Sequence, residues 1–371
     1  MSEVTTNPPP AGPRQFPCKN CGASLEFAPG TRSLKCPYCG VLNEIAASTA
    51  AIEELDYNAQ LTELESKQDT HEAVVTHCDG CGAESTLPPG TSAGLCPFCG
   101  RAVVATTQTK ALIKPKAVLP FAIDRGRATP QFSAWLGGLW FAPTALKTAA
   151  ESGRLNGVYL PAWTYDSQTT SDYTGERGEH YWDTETYTET VNGRSETRTR
   201  QVRRTRWYSA SGTVFVPFDD VLVLASNSLP DRLRQQLDGW DLPALVPYTD
   251  EYLSGFVAET YQVALPEGFE TAKAIMDGVI RNACARDIGG DEQRVHSVRT
   301  QYDAITFKHV LLPVWISAYR FGDRSFHFVI NGRTGRVFGE RPYSAIKIAI
   351  AVVLALLLIA IILAIVASVR R

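Results

Sequence analysis

The run from Ile348 to Ala367 constrains the fold of this 371-residue chain most, because it contains only Ala, Val, Ile and Leu. About 20 helical residues span roughly 30 Å, the thickness of a bilayer's hydrocarbon core. Each Leu, Ile or Val there contributes roughly −0.3 to −0.6 kcal/mol to insertion. A buried core helix of this length would carry a polar face. We therefore predict one transmembrane helix over 345–368, with the lipid bilayer as its partner.

The charges flanking this run do not decide its orientation. Arg341 and Lys347 precede it, while Arg370 and Arg371 follow it, so the positive-inside count is nearly balanced. Residues 1–15 are Pro-rich and polar, without the apolar core of a signal peptide. Their composition predicts a disordered tail. With the apolar run at the other end of the chain, we expect a tail-anchored topology.

Eight of the nine cysteines fall in one pattern that occurs twice. Each copy has two Cys-x2-Cys pairs with fourteen residues between them, and the surrounding CGASLEFAPGTRSLKCPYCG and CGAESTLPPGTSAGLCPFCG also repeat. The cysteines are Cys18, Cys21, Cys36 and Cys39 in the first copy, and Cys78, Cys81, Cys96 and Cys99 in the second. A glycine after each pair predicts a turn with positive φ, and Pro-Gly at 29–30 and 89–90 predicts a hairpin tip.

Each copy predicts a zinc ribbon, in which four thiolates close a tetrahedral site around a structural Zn²⁺ ion. Four thiolates are chemically compatible with iron as well. A disulfide framework would need an oxidising compartment. Thiolate ligation favours a reducing one, so we expect a single-pass protein of the cell (inner) membrane with its N-terminal body in the cytoplasm. The ninth cysteine, Cys284, lies in a predicted helix among apolar residues and predicts a buried thiol.

The fold class predicted for the chain is multidomain: two N-terminal zinc ribbons, an α+β body with an antiparallel sheet, and one C-terminal transmembrane helix. The predicted segments are a disordered tail at 1–15, zinc ribbon 1 at 16–43, a helical spacer at 44–75, zinc ribbon 2 at 76–106, the α+β body at 110–342 and the transmembrane helix at 345–368. Within the body, the motifs Leu160-Pro161-Ala162-Trp163 and Leu312-Pro313-Val314-Trp315 indicate two related β-units. Helices are predicted over 130–155, 231–237 and 266–288.

Five arginines crowd one predicted strand, namely Arg198, Arg200, Arg203, Arg204 and Arg206. Asn192-Gly193 predicts a two-residue hairpin turn. That turn places Glu185 opposite Arg200 and Glu179 opposite Arg206, which favours a hairpin with neutralised charges. A patch for anionic lipid headgroups or nucleic acid is the alternative.

The motifs of common enzyme classes are missing from the sequence. It contains no P-loop, no H-E-x-x-H and no G-x-G-x-x-G, and its one G-x-S-x-G match, at 90–94, lies between the two cysteine pairs of the second copy. The adjacent acids Asp219-Asp220 and Asp291-Glu292 would alternate faces in a strand, which is poor geometry for a shared site. We therefore predict a protein that is not an enzyme, with no small-molecule substrate. The net charge of −3 argues against a nucleic-acid coat.

The chain resembles a bacterial family of tail-anchored proteins with N-terminal double zinc ribbons, often labelled primosomal or replication-restart helicase-like. The resemblance rests on the two ribbons, the anchor and the segments GVYLPAWTYDSQT, FDDVLVLASNSLP, PYTDEYLSGFVAETY, FKHVLLPVWISAYR and VINGRTGRVFGERP. It implies cytoplasmic partners similar to phage-shock protein A or to flotillins, recruited in the envelope-stress response. It implies no catalytic residues.

Together these observations predict a membrane-anchored zinc-ribbon adaptor that recruits cytoplasmic proteins to the bilayer. Two alternatives stay open. One is a membrane-tethered zinc-ribbon protein that binds nucleic acid, and the other is an enzyme that uses the 110–342 body.

Overall fold

The computed structural model describes residues 16–46, 48, 50–66, 71–86, 93–104, 107–143, 155–191, 194–321, 324–340 and 343–369. Several predictions fall outside the described residues: the disordered tail at 1–15, the turns at Pro89-Gly90 and Asn192-Gly193, most of the G-x-S-x-G match, part of the helix over 130–155, and Arg341, Arg370 and Arg371.

The N-terminal part consists mainly of short strands. These are β1 (Glu26–Phe27), β2 (Ser33–Lys35), β3 (Leu42–Glu44), β4 (Leu55–Asp56), β5 (His71–His77), β6 (Glu84–Thr86), β7 (Ala93–Leu95), β8 (Ala102–Val104) and β9 (Thr107–Leu112). The body contains β10 (Ala117–Val118), β11 (Asn156–Val191), β12 (Arg194–Leu224), β13 (Val246–Pro247), β14 (Val257–Glu259), β15 (Glu292–Phe321), β16 (Arg324–Asn331) and β17 (Val337–Gly339).

The described residues contain few helices. They are α1 (Tyr57–Ser66), α2 (Arg125–Gly137), α3 (Asp231–Gln236), α4 (Leu265–Ile288) and α5 (Ala345–Val369), together with 3-10 turns at Leu242–Ala244 and Asp250–Leu253. Helix α2 begins at the N-cap Asp124, whose carboxylate accepts from the Arg127 N–H. It ends at Gly137, where the sequence has its Gly-Gly pair.

Among its described residues, the segment predicted as a helical spacer, 44–75, is helical only in α1. Upstream of α1, β4 pairs antiparallel with the body strand β15, with Leu55 opposite Phe307. Downstream of it, β5 pairs with β9. The Ala- and Glu-rich composition favours helix, but pairing with a strand distant in sequence outweighs so weak a preference.

Two long strands, β11 and β15, form the centre of the body. They pair antiparallel from Asn156 opposite Ile316 to Gly178 opposite Glu292. The outer edge of β11 carries β14 and β12, and the outer edge of β15 carries β4, β10 and β16. The sheet is mostly antiparallel, as predicted, but β10–β15 and β11–β14 are parallel pairs. Because β6 pairs with β14, the sheet also continues into the predicted second ribbon.

The two Leu-Pro-x-Trp motifs meet at their first residues in this central pair. Leu160 is the register partner of Leu312. Trp163 Nε1 donates to the Val263 carbonyl at 3.0 Å, and Trp315 Nε1 donates to the Ile123 carbonyl at 2.8 Å. Each Trp thus binds the backbone just before a helix, α4 in one case and α2 in the other.

The backbone bonds around the motifs repeat in the same way. Ala225 N–H donates to the Pro161 carbonyl, and Gly332 N–H donates to the Pro313 carbonyl, both at 2.9 Å. The Ala225 carbonyl then accepts from residues 262 and 263, as the Gly332 carbonyl does from residues 122 and 123. The body is therefore two strand–helix–hairpin units related by a local two-fold axis, and the first strand of each unit pairs parallel with the long strand of the other.

The helices cover the central sheet. Helix α4 buries Phe269, Met276, Ile280 and Cys284 against β11, β12 and β15, so the predicted buried thiol is confirmed. Helix α2 packs Phe132 against Phe328 with ring centroids 3.9 Å apart.

Beyond Gly178, β11 and β12 continue without β15 as a two-stranded hairpin arm, residues 179–191 and 194–206. The register is the predicted one, with Glu185 opposite Arg200 and Glu179 opposite Arg206. About 13 residues at about 3.3 Å each give the arm a length of roughly 40 Å. None of its residues whose exposure is described is buried.

Helix α5 leaves the sheet at the end opposite the arm. Glu340 N–H donates to the His327 carbonyl, and His327 is the register partner of Ala318, near the end of β15 that lies farthest from the arm. Within the described part of the chain, α5 is the helix long and apolar enough to cross a membrane, with a mean hydropathy of 3.5 and no buried residues.

Gly175 tests the packing of the central strands. A Cβ there would lie 2.2 Å from the Arg294 carbonyl oxygen, at a register shift between β11 and β15. We expect Gly175→Ala to lower the free energy of unfolding by about 1–3 kcal/mol, since overpacking displaces backbone. Urea unfolding of the full chain in detergent micelles, followed by Trp fluorescence, measures this.

Gly278 in α4 is the matched control, because a Cβ there would meet nothing within 4 Å. Gly278→Ala is expected to stabilise the protein by about 1 kcal/mol through helix propensity. Equal unfolding curves for the two variants would contradict the packing described for β11 and β15.

Candidate metal centres

All four Cys-x2-Cys pairs have the same local structure. In each pair, the N–H of the following glycine donates to the carbonyl of the first cysteine, at 2.8–3.0 Å. The four glycines, Gly22, Gly40, Gly82 and Gly100, have φ values of 72–76°. That left-handed conformation is open to glycine without strain, and it turns the chain so that both thiols of a pair face the same point.

The structure brings the eight predicted cysteines together in two groups of four, whose sulfur atoms lie within 4.8 Å of one another. In the first group, Cys21 Sγ lies 3.5 Å from Cys36 Sγ and 3.6 Å from Cys39 Sγ. In the second, Cys81 and Cys96 are 3.7 Å apart. Zn–S bonds of about 2.3 Å require sulfur–sulfur edges of about 3.8 Å in a tetrahedron. Both groups therefore fit a structural metal ion bound by four sulfurs.

In the second group, the hydrogen bond between Cys81 and Cys96 favours the thiolate form of one cysteine over that of the other. A hydrogen bond with the Cys81 thiol lowers the pKa of Cys96 to about 5, and the same bond raises the pKa of Cys81 above its ordinary value. A bound cation would take the place of the shared protons, so metal affinity is expected to rise with pH. Four sulfur ligands fill a tetrahedral site, which leaves no position for a substrate and indicates a structural role.

The first ribbon is docked on the body. Gly30, in the Pro-Gly turn, donates its N–H to the Phe121 carbonyl at 2.8 Å. Phe27 N–H donates to the Ser254 carbonyl at 2.9 Å, and the Phe27 ring packs edge-on against Tyr252. The metal group of this ribbon therefore supports part of the body's own core.

The second ribbon is continuous with the body sheet. Thr260 N–H donates to the Glu84 carbonyl at 3.0 Å, next to the β6–β14 pairing. Phe98, between the last two cysteines of this ribbon, is fully buried. Close by, Glu259 is buried and accepts a hydrogen bond from the Ser228 hydroxyl. Burial raises the pKa of Glu259 to about 8.

A third cluster, which the sequence did not predict, joins Asp166, Asp219 and Asp220, with carboxylate oxygens within 4.8 Å of one another. The register shifts at this point both between β11 and β12 and between β11 and β15. Asp220 and Ala304, on the two flanking strands, have φ values of 53° and 48°. Because of these bulges, adjacent residues no longer alternate strictly between the two faces of the sheet, and Asp219 and Asp220 can both lie near Asp166.

A buried cation balances this cluster. The Lys308 side chain is 7 % exposed, and its Nζ lies 2.7 Å from Asp220 and 3.0 Å from Glu54. Burial raises the pKa of Asp166, and its carboxylate accepts from the Asp220 N–H and the Thr306 hydroxyl. The cluster is therefore an ion-pair network that joins the three bulged strands.

The other predicted acid pair also has a structural role. His180 Nε2 lies 2.7 Å from Glu292, and His180 N–H donates to the Asp291 carboxylate at 2.7 Å. These bonds hold the base of the hairpin arm against the first residues of β15.

The metal content of the purified chain tests the ribbon geometry. We expect two zinc ions per full-length chain by elemental mass spectrometry. Replacing Cys36 and Cys39 with Ser, or Cys96 and Cys99 with Ser, is expected to leave one ion, because each group binds its metal separately. Cys284→Ala is the control and is expected to keep both ions. Iron in place of zinc would contradict the predicted metal, and two retained ions after either double substitution would contradict the grouping.

The Lys308 network gives a prediction of stability and of its pH dependence. Lys308→Met should destabilise the protein by about 3 kcal/mol at pH 7, because the partly buried carboxylates of Asp166 and Asp220 lose their buried cation. The loss should shrink as the pH falls toward about 5, since Asp166, whose pKa is raised by burial, takes up a proton in the folded variant. Denaturant unfolding at the two pH values measures it.

Lys116→Met is the matched control, because Lys116 pairs with the exposed Glu53. An exposed pair contributes at most about 1 kcal/mol. A loss for Lys308→Met no larger than that for Lys116→Met would show that the network does not hold the bulged strands.

Comparison with known proteins adds one relative. The chain is 24 % identical, over 257 residues, to the uncharacterized protein YdjG of Bacillus subtilis (strain 168). The alignment covers 64 % of this chain and 66 % of YdjG, so the chain spans just under two thirds of that relative's length. No family model matches the chain. No solved structure matches it.

Proposed function

We propose that this protein is a non-enzymatic membrane-anchored adaptor, which recruits cytoplasmic proteins to the bilayer through its hairpin arm. The family resemblance implies partners similar to phage-shock protein A or to flotillins, in an envelope-stress response. The similarity to YdjG covers much of the chain but brings no activity with it, since that protein's name assigns none.

The observation that carries the proposal is the position of the arm. The arm projects from one end of the central sheet, and the apolar helix α5 leaves from the other. A rigid sheet between them would hold the arm away from the bilayer. The two ribbons are docked on this sheet and would add to its rigidity once metal is bound.

The arm has the features of a docking surface. A hairpin of two strands is marginally stable in water without a partner or a core. Within the described residues, both of its outer edges are free of strand partners. Such edges present unpaired N–H and C=O groups, and an extended segment of another protein can add to them as a further strand.

The charges of the arm favour a protein over a nucleic acid. Arg200 lies 2.7 Å from Glu185, and Arg204 lies 3.0 Å from Asp183, across the strands. Arg198 likewise lies 3.0 Å from Glu189. These pairs neutralise much of the arginine cluster and support the neutralised-hairpin interpretation.

The positions for a proline test are those whose backbone N–H points to an open edge of the arm. The Gly178 carbonyl and the His180 N–H both face the β15 side. Because these groups alternate along a strand, the N–H of Thr186 points to the open edge of β11. Thr199 is its register partner, so the N–H of Thr199 points to the open edge of β12.

We expect the full-length chain, crosslinked in cells and purified from solubilised membranes, to carry specific cytoplasmic proteins. Thr186→Pro or Thr199→Pro should remove them, because proline deletes an outward donor and is tolerated on an edge strand. Two bound metal ions and an unchanged unfolding midpoint control for folding. Recovery of the same partners by the double proline variant would contradict the role of the arm.

Nucleic-acid binding is the second candidate, favoured by the arginine content of β12. A titration with DNA at two salt concentrations separates the two functions. A steep fall of affinity with salt would support this candidate over the adaptor, because it reports the release of counterions from phosphates.

A further inference from the structure

The loop that follows α2, residues 138–143, exposes two aromatic side chains. Trp140 is 83 % exposed and Phe141 is 43 % exposed. Two other tryptophans near this end of the sheet are less exposed. Trp315 is buried, and Trp135 is half-buried against Gly339. Large aromatic side chains in water at one place on a surface indicate a contact with another apolar phase.

The loop is fixed to the first turn of α5. Ser344 N–H donates to the Phe141 carbonyl at 2.7 Å. The Lys347 ammonium donates to the Ala142 carbonyl, also at 2.7 Å. Lys347 directly precedes the uncharged run, so this bond keeps its charge on the loop side of the apolar helix.

The depth of the loop follows from these bonds. The uncharged run begins at Ile348, and Ser344 lies four residues earlier, about 6 Å along the helix axis. The headgroup layer on each side of the hydrocarbon core is roughly 5–8 Å thick. The Phe141 backbone, in contact with Ser344, therefore falls within the headgroup layer, and Trp140 is its neighbour.

We infer that the loop 138–143 is a second lipid-binding element, with Trp140 and Phe141 inserted in the headgroup layer beside α5. Tryptophan is enriched at this level because its ring has an apolar body and a polar N–H. The inference rests on α5 spanning the bilayer, as in the proposed function.

The consequence is a fixed orientation of the body. The loop is rigidly joined to the sheet, because α2 packs Phe132 on Phe328 of β16 and Trp135 on Gly339 of β17. A transmembrane helix alone does not fix the angle between the body and the membrane. Two lipid contacts would hold the sheet, and with it the hairpin arm, at one angle to the membrane.

Quenching of Trp fluorescence by brominated lipids tests this inference. The full-length chain is reconstituted in phosphatidylcholine vesicles with bromine placed either near the headgroup or deep in the acyl chains. Trp140→Phe is expected to lose part of the quenching by the shallow bromine, because the lipid-facing ring is gone. Trp182→Phe, which removes another exposed tryptophan on the distant arm, is the matched control and is expected to keep all of it.

The outcomes of this experiment distinguish a loop inserted in the headgroup layer from a loop in water. Equal shallow quenching in the wild type and in Trp140→Phe would overturn the inference, as would a loss confined to the deep bromine. Two metal ions and an unchanged unfolding midpoint in Trp140→Phe show that the variant is folded. Alkaline carbonate extraction tests α5 separately: release of the chain from the membrane would contradict the anchor itself, whereas retention without shallow quenching would contradict only the loop.

Discussion

The antiparallel pairing of β11 with β15 is the interaction on which the rest of the structure depends. It pairs the first residues of the two Leu-Pro-x-Trp motifs, and each Trp then fixes the backbone that leads into a covering helix. The outer edges of the same two strands receive β12, β14, β10 and β16. Because both long strands are central, a change at their contact would reach both ribbons and the helices on both faces of the sheet. The local two-fold arrangement brings the apolar cores of two modest units together on one sheet.

The ribbons contribute to this core and are not independent modules. A ribbon of some 25 residues cannot bury enough apolar surface to fold alone, so the metal supplies much of its stability. Here the first ribbon supports Phe121 and Tyr252 of the body, and the second shares the sheet through β6. Loss of metal is therefore expected to weaken the body as well as the ribbon concerned. Such coupling suits a structural role, in which the metal keeps a surface rigid and takes no part in chemistry.

The buried and half-buried charged groups stabilise the bulges and the arm base of the long strands. Three strands bulge around Asp166, and the buried Lys308 closes the bulge with ion pairs that reach Glu54 in the N-terminal part. Farther along, His180 holds the base of the hairpin arm to Asp291 and Glu292. Beyond that base the arm continues with paired charges, and none of its residues of described exposure is buried. The molecule thus carries the apolar helix α5 at one end of the sheet and the charged arm at the other.

The sequence alone determined the features that depend on neighbours in the chain. Cysteine spacing predicted the two groups of four sulfurs, the uncharged run predicted α5, and Asn192-Gly193 predicted the register of the arm, because each rests on local geometry or on a sum over one segment. The sequence missed the strand at Leu55, the sheet shared by the second ribbon and the body, and the cluster around Lys308. These were decided by tertiary structure, since backbone pairing between distant segments outweighs local propensity and two bulges cancel the alternation of faces. The duplicated motifs were visible in the sequence, but only the tertiary structure showed that their first residues pair, because register between distant strands is set by the packing of both faces.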